Sequence, residues 1–199
     1  MTTNVAVVLF PDVEELDFAG PYEVFGMFSK WIDKDWSVFT VAEHKQVRGN
    51  IGLNVTADYT FDDAPNADVL LVPGGLGTRE GADNQALVGY IRRAGAGAQY
   101  VTSVCTGAFL LHRAGFLEGK KATTHWGSRD RLQQEPGVTV VAERWVHDGN
   151  VVTAAGVSAG IDMALYVLGV MAGPEAARRT QHFIEYDPAP PYAEVPLPA

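Results

Sequence analysis

The chain has 199 residues, of which 47% are hydrophobic and 20% charged, with a formal net charge of -9 at pH 7. That length supports one substantial core, and the acidic balance argues against a broad basic face for nucleic acid or an anionic membrane. A single cysteine, Cys105, rules out an internal disulfide.

The N-terminal segment MTTNVAVVLF has neither the charged region nor the cleavage site of a signal peptide. The most apolar later stretch, residues 161–172, is too short to span a bilayer and contains Asp162. The expected location is therefore cytoplasmic. Residues 5–10 form a continuous apolar, β-rich run closed by Pro11, the pattern of a strand buried on both faces. Gly20-Pro21 then opens a helical pattern through Tyr22, Val24, Phe25 and Phe28, with proline in the first turn. A strand is expected over 36–41, and a hairpin or two short strands over 46–61. Residues 68–73 read as a buried strand that ends in the tight Gly74-Gly75 turn. A helix over 84–96, a strand over 99–104 and a helix over 106–113 stopped by Gly115 follow.

A short strand over 121–124 and a helix over 128–134 come next. Residues 138–155 hold two or three strands, with Asp148-Gly149 as a hairpin turn. Helices are expected over 158–171 and 174–185. Residues 1–186 read as one α/β domain, and 187–199 as an extended proline-rich tail. Buried runs alternating with helices imply a largely parallel sheet covered on both faces.

In such sheets active sites gather at the carboxyl ends of the strands, where both the Gly74-Gly75 turn and Cys105 fall. Ser103-Val104-Cys105-Thr106-Gly107 is a partial match to a nucleophile elbow, with Ser103 in place of the first glycine and Cys105 at the centre. A thiol there meets a helix N-terminus and free amides, which are expected to lower its pKa. The Thr106 and Gly75 amides are candidate donors to developing negative charge. The plainer alternative is a buried cysteine acting as a small hydrophobe; the elbow and the glycine turn together favour the nucleophile.

Among five histidines, His125 follows a short strand and is either a proton partner or a packing residue. The others lack ligand-like spacing, so no metal site is expected. Asp17, between Leu16 and Phe18, is either a first-turn acid of the next helix or a partly buried carboxyl whose desolvation lets it carry a proton near neutral pH. Asp12, Glu14 and Glu15 read as solvated loop charges.

Five blocks together resemble the ThiJ/PfpI superfamily, which is class I glutamine amidotransferase-like. They are LDFAGPYEVF around Asp17, Pro73-Gly74-Gly75, SVCTGA around Cys105, LEGKKATTHW ending at Trp126, and GVSAGID starting at Gly156. The resemblance implies an α/β flavodoxin-like three-layer sandwich with a mostly parallel sheet. Within that superfamily the motifs, with the segment EYDPAPPY near the C-terminus, are most similar to the isonitrile hydratases. Those enzymes convert an isocyanide and water into an N-substituted formamide without a cofactor.

The resemblance implies Cys105 as nucleophile, Asp17 as acid/base and Thr106 as a supporting residue beside the thiol. It also implies a homodimer. The Val157 amide, near the start of the helix at Ser158, is expected close to the sulfur as a third donor after Gly75 and Thr106, and His125 and Trp126 are expected in the substrate pocket. Protease-like members carry His directly after the cysteine, where this chain has Thr106, and many members carry Glu where it has Asp17. The isocyanide's terminal carbon is electrophilic enough for a thiolate, and a protonated Asp17 would complete the addition to a covalent thioimidate.

Two other classes compete. The Asp17 and Cys105 blocks also resemble the ligand-binding domains of AraC-type transcription regulators, although no basic helix-turn-helix segment follows here. Cys105 would also serve an oxidant sensor, limited by the lack of a resolving cysteine in the chain.

Overall fold

The computed structural model describes residues 2–191, 193 and 194. In chain order the elements are β1 (Thr3–Val8), α1 (Glu15–Trp31), β2 (Trp36–Ala42), β3 (Gln46–Arg48), β4 (Asn54–Thr56), β5 (Tyr59–Thr60) and β6 (Val69–Val72). They continue with α2 (Thr78–Gly81), α3 (Gln85–Gly97), β7 (Tyr100–Val104), α4 (Gly107–Arg113), β8 (Lys120–Ala122) and α5 (Arg129–Gln133). The last are β9 (Val138–Val140), β10 (Trp145–Asp148), β11 (Val151–Ala154), α6 (Ala159–Ala172) and α7 (Pro174–Phe183).

Seven strands form the central sheet in the order β10-β11-β7-β6-β1-β2-β5. Every pairing in it is parallel except β10 with β11, which are joined through the expected turn at Gly149, φ 68°. Helices α1, α6 and α7 pack together as one layer, and α2, α3 and α4 as the other. The central strands β6 and β11 are buried at every residue, as a sheet covered on both faces requires. From β1 the chain builds outward through β2 to β5, then returns to place β6 on the other side of β1. The gap between β1 and β6 is therefore the topological switch point, where α/β sheets open a crevice beyond their carboxyl ends.

Local chemistry sets the helix boundaries. Asn84 Oδ1 accepts from the amides of Ala86 and Leu87 at 2.8 and 3.1 Å, which fixes the start of α3. Gly115, at φ 89°, closes α4 while Phe116 N donates back to Leu111 O.

Helix α1 departs from expectation. It begins at Glu15, before the Gly20-Pro21 pair, and Pro21 lies inside it. Proline's missing N–H costs one bond to the carbonyl four residues back, that of Asp17. Burial of Phe18, Val24, Phe25 and Phe28 on this helix outweighs that loss. Asp17 lies in the first turn of this helix, one of the two settings expected for it, and is buried there as well. Helix α2 was also missed, because four residues are too few for a periodic signal. Of the tail expected over 187–199, residues 192 and 195–199 lie outside the described residues, and the rest form neither helix nor strand.

Gly107 marks where α4 meets the sheet. A Cβ there would collide with the carbonyl groups of Val72 and Pro73. Gly107→Ala is expected to cost at least about 2 kcal/mol, the scale of core overpacking, read as a lower urea midpoint. An unchanged midpoint would contradict this packing.

Candidate functional site

Four neighbouring parallel strands deliver the site. β1 leads to Asp17 in the first turn of α1, β6 to Gly74 and Gly75, β7 to Cys105, and β11 to Val157 just before α6. Their carboxyl ends flank the switch point, so residues far apart in sequence meet there.

Cys105 sits at φ 57°, a left-handed conformation uncommon for a residue with a Cβ. The turn is held from both sides. Its amide donates to Ala154 O and Ala155 O, at 3.1 and 2.8 Å, and its carbonyl accepts from Thr124 Oγ1 at 2.7 Å. The elbow expected from SVCTG is thus present as geometry. Val157, φ 46°, is a second left-handed residue, and a β-branched one.

Asp17 is 0% exposed, and its Oδ2 accepts from Gly74 N at 2.8 Å. Among the described residues Oδ1 has no hydrogen-bond partner. Burial pushes the carboxyl up to about 7; the Gly74 amide opposes this and the Glu14 charge adds to it. The Cys105 thiol and the Val157 amide lie close enough to favour ionisation weakly. Raised this far by desolvation, the carboxyl gains and loses its proton near neutral pH.

The thiol behaves otherwise than expected. Cys105 is 8% exposed, and burial, followed by the charge of Asp17, pushes its pKa up to about 12. The Thr106 and Val157 amides and the Thr106 hydroxyl pull the other way without winning. Helix α4 is only seven residues long, so its dipole offsets little of the desolvation. Thiol and carboxyl form one buried pair.

The Thr106 and Val157 amides lie near enough to the sulfur to favour its ionised form, whereas the Gly75 amide is already engaged. The Gly75 amide donates to Thr106 Oγ1 at 3.0 Å, so its expected role as a charge donor is corrected to a structural one. Gly74, expected only as part of the turn, gives the amide that grips Asp17. A Cβ on Gly74 would lie 2.6 Å from Thr106 N and 2.8 Å from Asp17 Oδ2, so only glycine lets the two approach. Thr106→Val would orphan the Gly75 amide and is expected to cost about 1–3 kcal/mol, measured by urea unfolding; no change in midpoint would refute this link.

A cleft of about 220 Å³ opens above the pair, lined by Cys105, Thr106, Val157 and His125. His125 Nδ1 accepts from Gly127 N at 3.2 Å, and between the described residues this ring makes no hydrogen bond to Asp17 or to the thiol. Trp126 is corrected. It is 74% exposed and does not line the cleft, because the short helical turn it starts points its ring outward beside His125.

Two acids read as solvated are not. Glu15 is buried and its Oε1 accepts from Ile51 N and Leu53 N, while Glu14 accepts from Asn50 Nδ2 at 3.0 Å. The β3–β4 hairpin folds back over the start of α1, a contact that local sequence does not announce. Arg79 and Arg131 also reach the cleft and carried no motif signal. Among the described residues no group of three or more His, Cys, Asp or Glu is placed to hold a metal ion, and no helix is long and apolar enough to cross a membrane.

Residues 3–169 match the DJ-1/PfpI family. The chain belongs to that family. As a DJ-1/PfpI chain it is 40% identical over 193 residues to isonitrile hydratase from Pseudomonas putida, covering 96% of this chain and 82% of that protein. The crystal structure of a ThiJ/PfpI family protein from Pseudomonas syringae superposes with a TM-score of 0.90 at 33% identity, covering 98% of this chain and 80% of that one. The HTH-type transcriptional regulator CdhR of Pseudomonas aeruginosa is 31% identical over 143 residues, covering 71% of this chain and 42% of the regulator. The mostly parallel sheet between two helix layers is the fold expected of this DJ-1/PfpI chain.

Proposed function

We propose that the chain is an isonitrile hydratase, a hydro-lyase that adds water to an isocyanide to give an N-substituted formamide. The observation that carries this reading is the buried Asp17 carboxyl, able to hold a proton near neutrality, set against the Cys105 thiol on a strained elbow. Similarity to the P. putida enzyme over nearly the whole chain supports it.

Near neutral pH the pair holds one proton in the form that reacts. The ionised Asp17 takes the thiol proton as sulfur adds to the terminal isocyanide carbon, and the amides of Thr106 and Val157 stabilise negative charge on sulfur. Asp17 then delivers that proton to the same carbon, giving a Cys105 thioformimidate. Ionised again, Asp17 takes a proton from a water whose oxygen adds to this carbon and passes that proton to the nitrogen; the proton left on the added oxygen goes to sulfur in the next step. The carbon–sulfur bond breaks, the thiol regains its proton, and the formamide leaves. One isocyanide and one water are consumed with no change of redox state, so the reaction calls for no cofactor. Thr106 supports the thiol, and His125 contributes cleft wall. A homodimer, a cytoplasmic location and one domain over 1–186 belong to the same reading.

The test is product formation. Purified protein incubated in D2O with an alkyl or aryl isocyanide is expected to yield the N-formamide with deuterium on the formyl carbon. Failure to form formamide would overturn the assignment. Ligand-dependent thermal stabilisation without product would instead favour the binding role suggested by the similarity to a transcriptional regulator.

A further inference from the structure

The cleft above Cys105 carries charge that the hydration steps do not use. Arg79 of α2 and Arg131 of α5 both line it. Among the described residues neither guanidinium has a carboxylate within ion-pair distance, although acids outnumber bases 24 to 15 in the chain. Arg131 is nevertheless held in place, its guanidinium 4.0 Å over the Phe109 ring, a contact that leaves its edge N–H donors free. Glu14, the acid that shares the cleft, is engaged by Asn50 and belongs to the Asp17 side of the site.

We propose that Arg79 and Arg131 form an anion subsite, so that the substrate is an isocyanide bearing a carboxylate on a short side group. The carboxylate lies at the arginines and the isocyanide carbon at Cys105 Sγ. This rests on the hydratase reading. Guanidinium groups match a carboxylate's planar acceptors, and a cleft of about 220 Å³ is below the usual range for larger ligands, which favours a short spacer.

Alkylation of Cys105 tests the subsite without turnover. Iodoacetate and iodoacetamide differ in charge at nearly the same size, so the ratio of their rates reports anion attraction at the thiol. That ratio is expected to fall about tenfold, the low end of charge-focusing effects, in the Arg79→Gln/Arg131→Gln protein. It is expected to survive largely in Arg79→Lys/Arg131→Lys and to fall with added salt. Thermal midpoints confirm that the variants are folded. An unchanged ratio in the glutamine variant would overturn the subsite. The same proteins are then given isocyanoacetate and its methyl ester, and the wild type is expected to favour the carboxylate in an arginine-dependent way. Hydration of the ester alone would overturn the substrate assignment. Turnover of neither, with arginine-dependent alkylation intact, would overturn the hydratase reading and leave the anion subsite standing.

Discussion

Asp17→Asn is expected to lower isocyanide hydration by about 10²–10⁴-fold, the usual contribution of a positioned acid/base, while making the folded protein more stable at alkaline pH. Both effects follow from one buried carboxyl. Asparagine keeps an acceptor for Gly74 N but cannot take the thiol proton or return it to carbon. The wild-type rate should rise with pH through the titration of Asp17 near 7, and the variant's residual rate should lack that limb. For stability the sign is fixed by the same value. A carboxyl raised from 3.8 to about 7 holds a proton in the folded chain that the unfolded chain has already lost. Its contribution is fully present below about pH 4 and is lost as pH rises through 7. Such a displacement is on the order of 4 kcal/mol. The variant's thermal midpoint relative to wild type should therefore climb between pH 4 and pH 8. A midpoint difference that is flat with pH would contradict the buried, proton-carrying Asp17.

The second large effect is at the thiol. Cys105→Ala should retain the fold, because alanine replaces a small buried side chain at an already pinned elbow. Turnover should fall at least about 10³-fold, as when a nucleophile is removed from a unit that acts together. Retention of more than a tenth of the wild-type rate would mean that Asp17 directs water onto the isocyanide without sulfur.

The order of strands and helices was legible because each central strand is an apolar run closed by Pro, Gly or the cysteine turn. The elbow was legible for the same reason, since a small residue after Thr106 is required where α4 touches the Val72 carbonyl. The start of α1 was not. Proline signals a first turn locally, and only the tertiary burial of Phe18 and Phe25 overrides it. Glu15 looked solvated because its partners, the Ile51 and Leu53 amides, lie on a hairpin some 36 residues away. The direction of the thiol's pKa was misread for a related cause. Sequence shows the helix N-terminus beside Cys105 but not the degree of burial or the Asp17 charge facing it. Gly75 shows the opposite limit: its turn was visible, but not that Thr106 Oγ1 already occupies its amide.

The most direct measurement of the central claim is a rapid-quench single turnover with an isocyanide, followed by mass analysis of the peptide containing Cys105. The account predicts a transient mass gain of one isocyanide on Cys105 that rises before formamide appears and decays as it accumulates. Formamide produced in one turnover with Cys105 unmodified at every time point would contradict it.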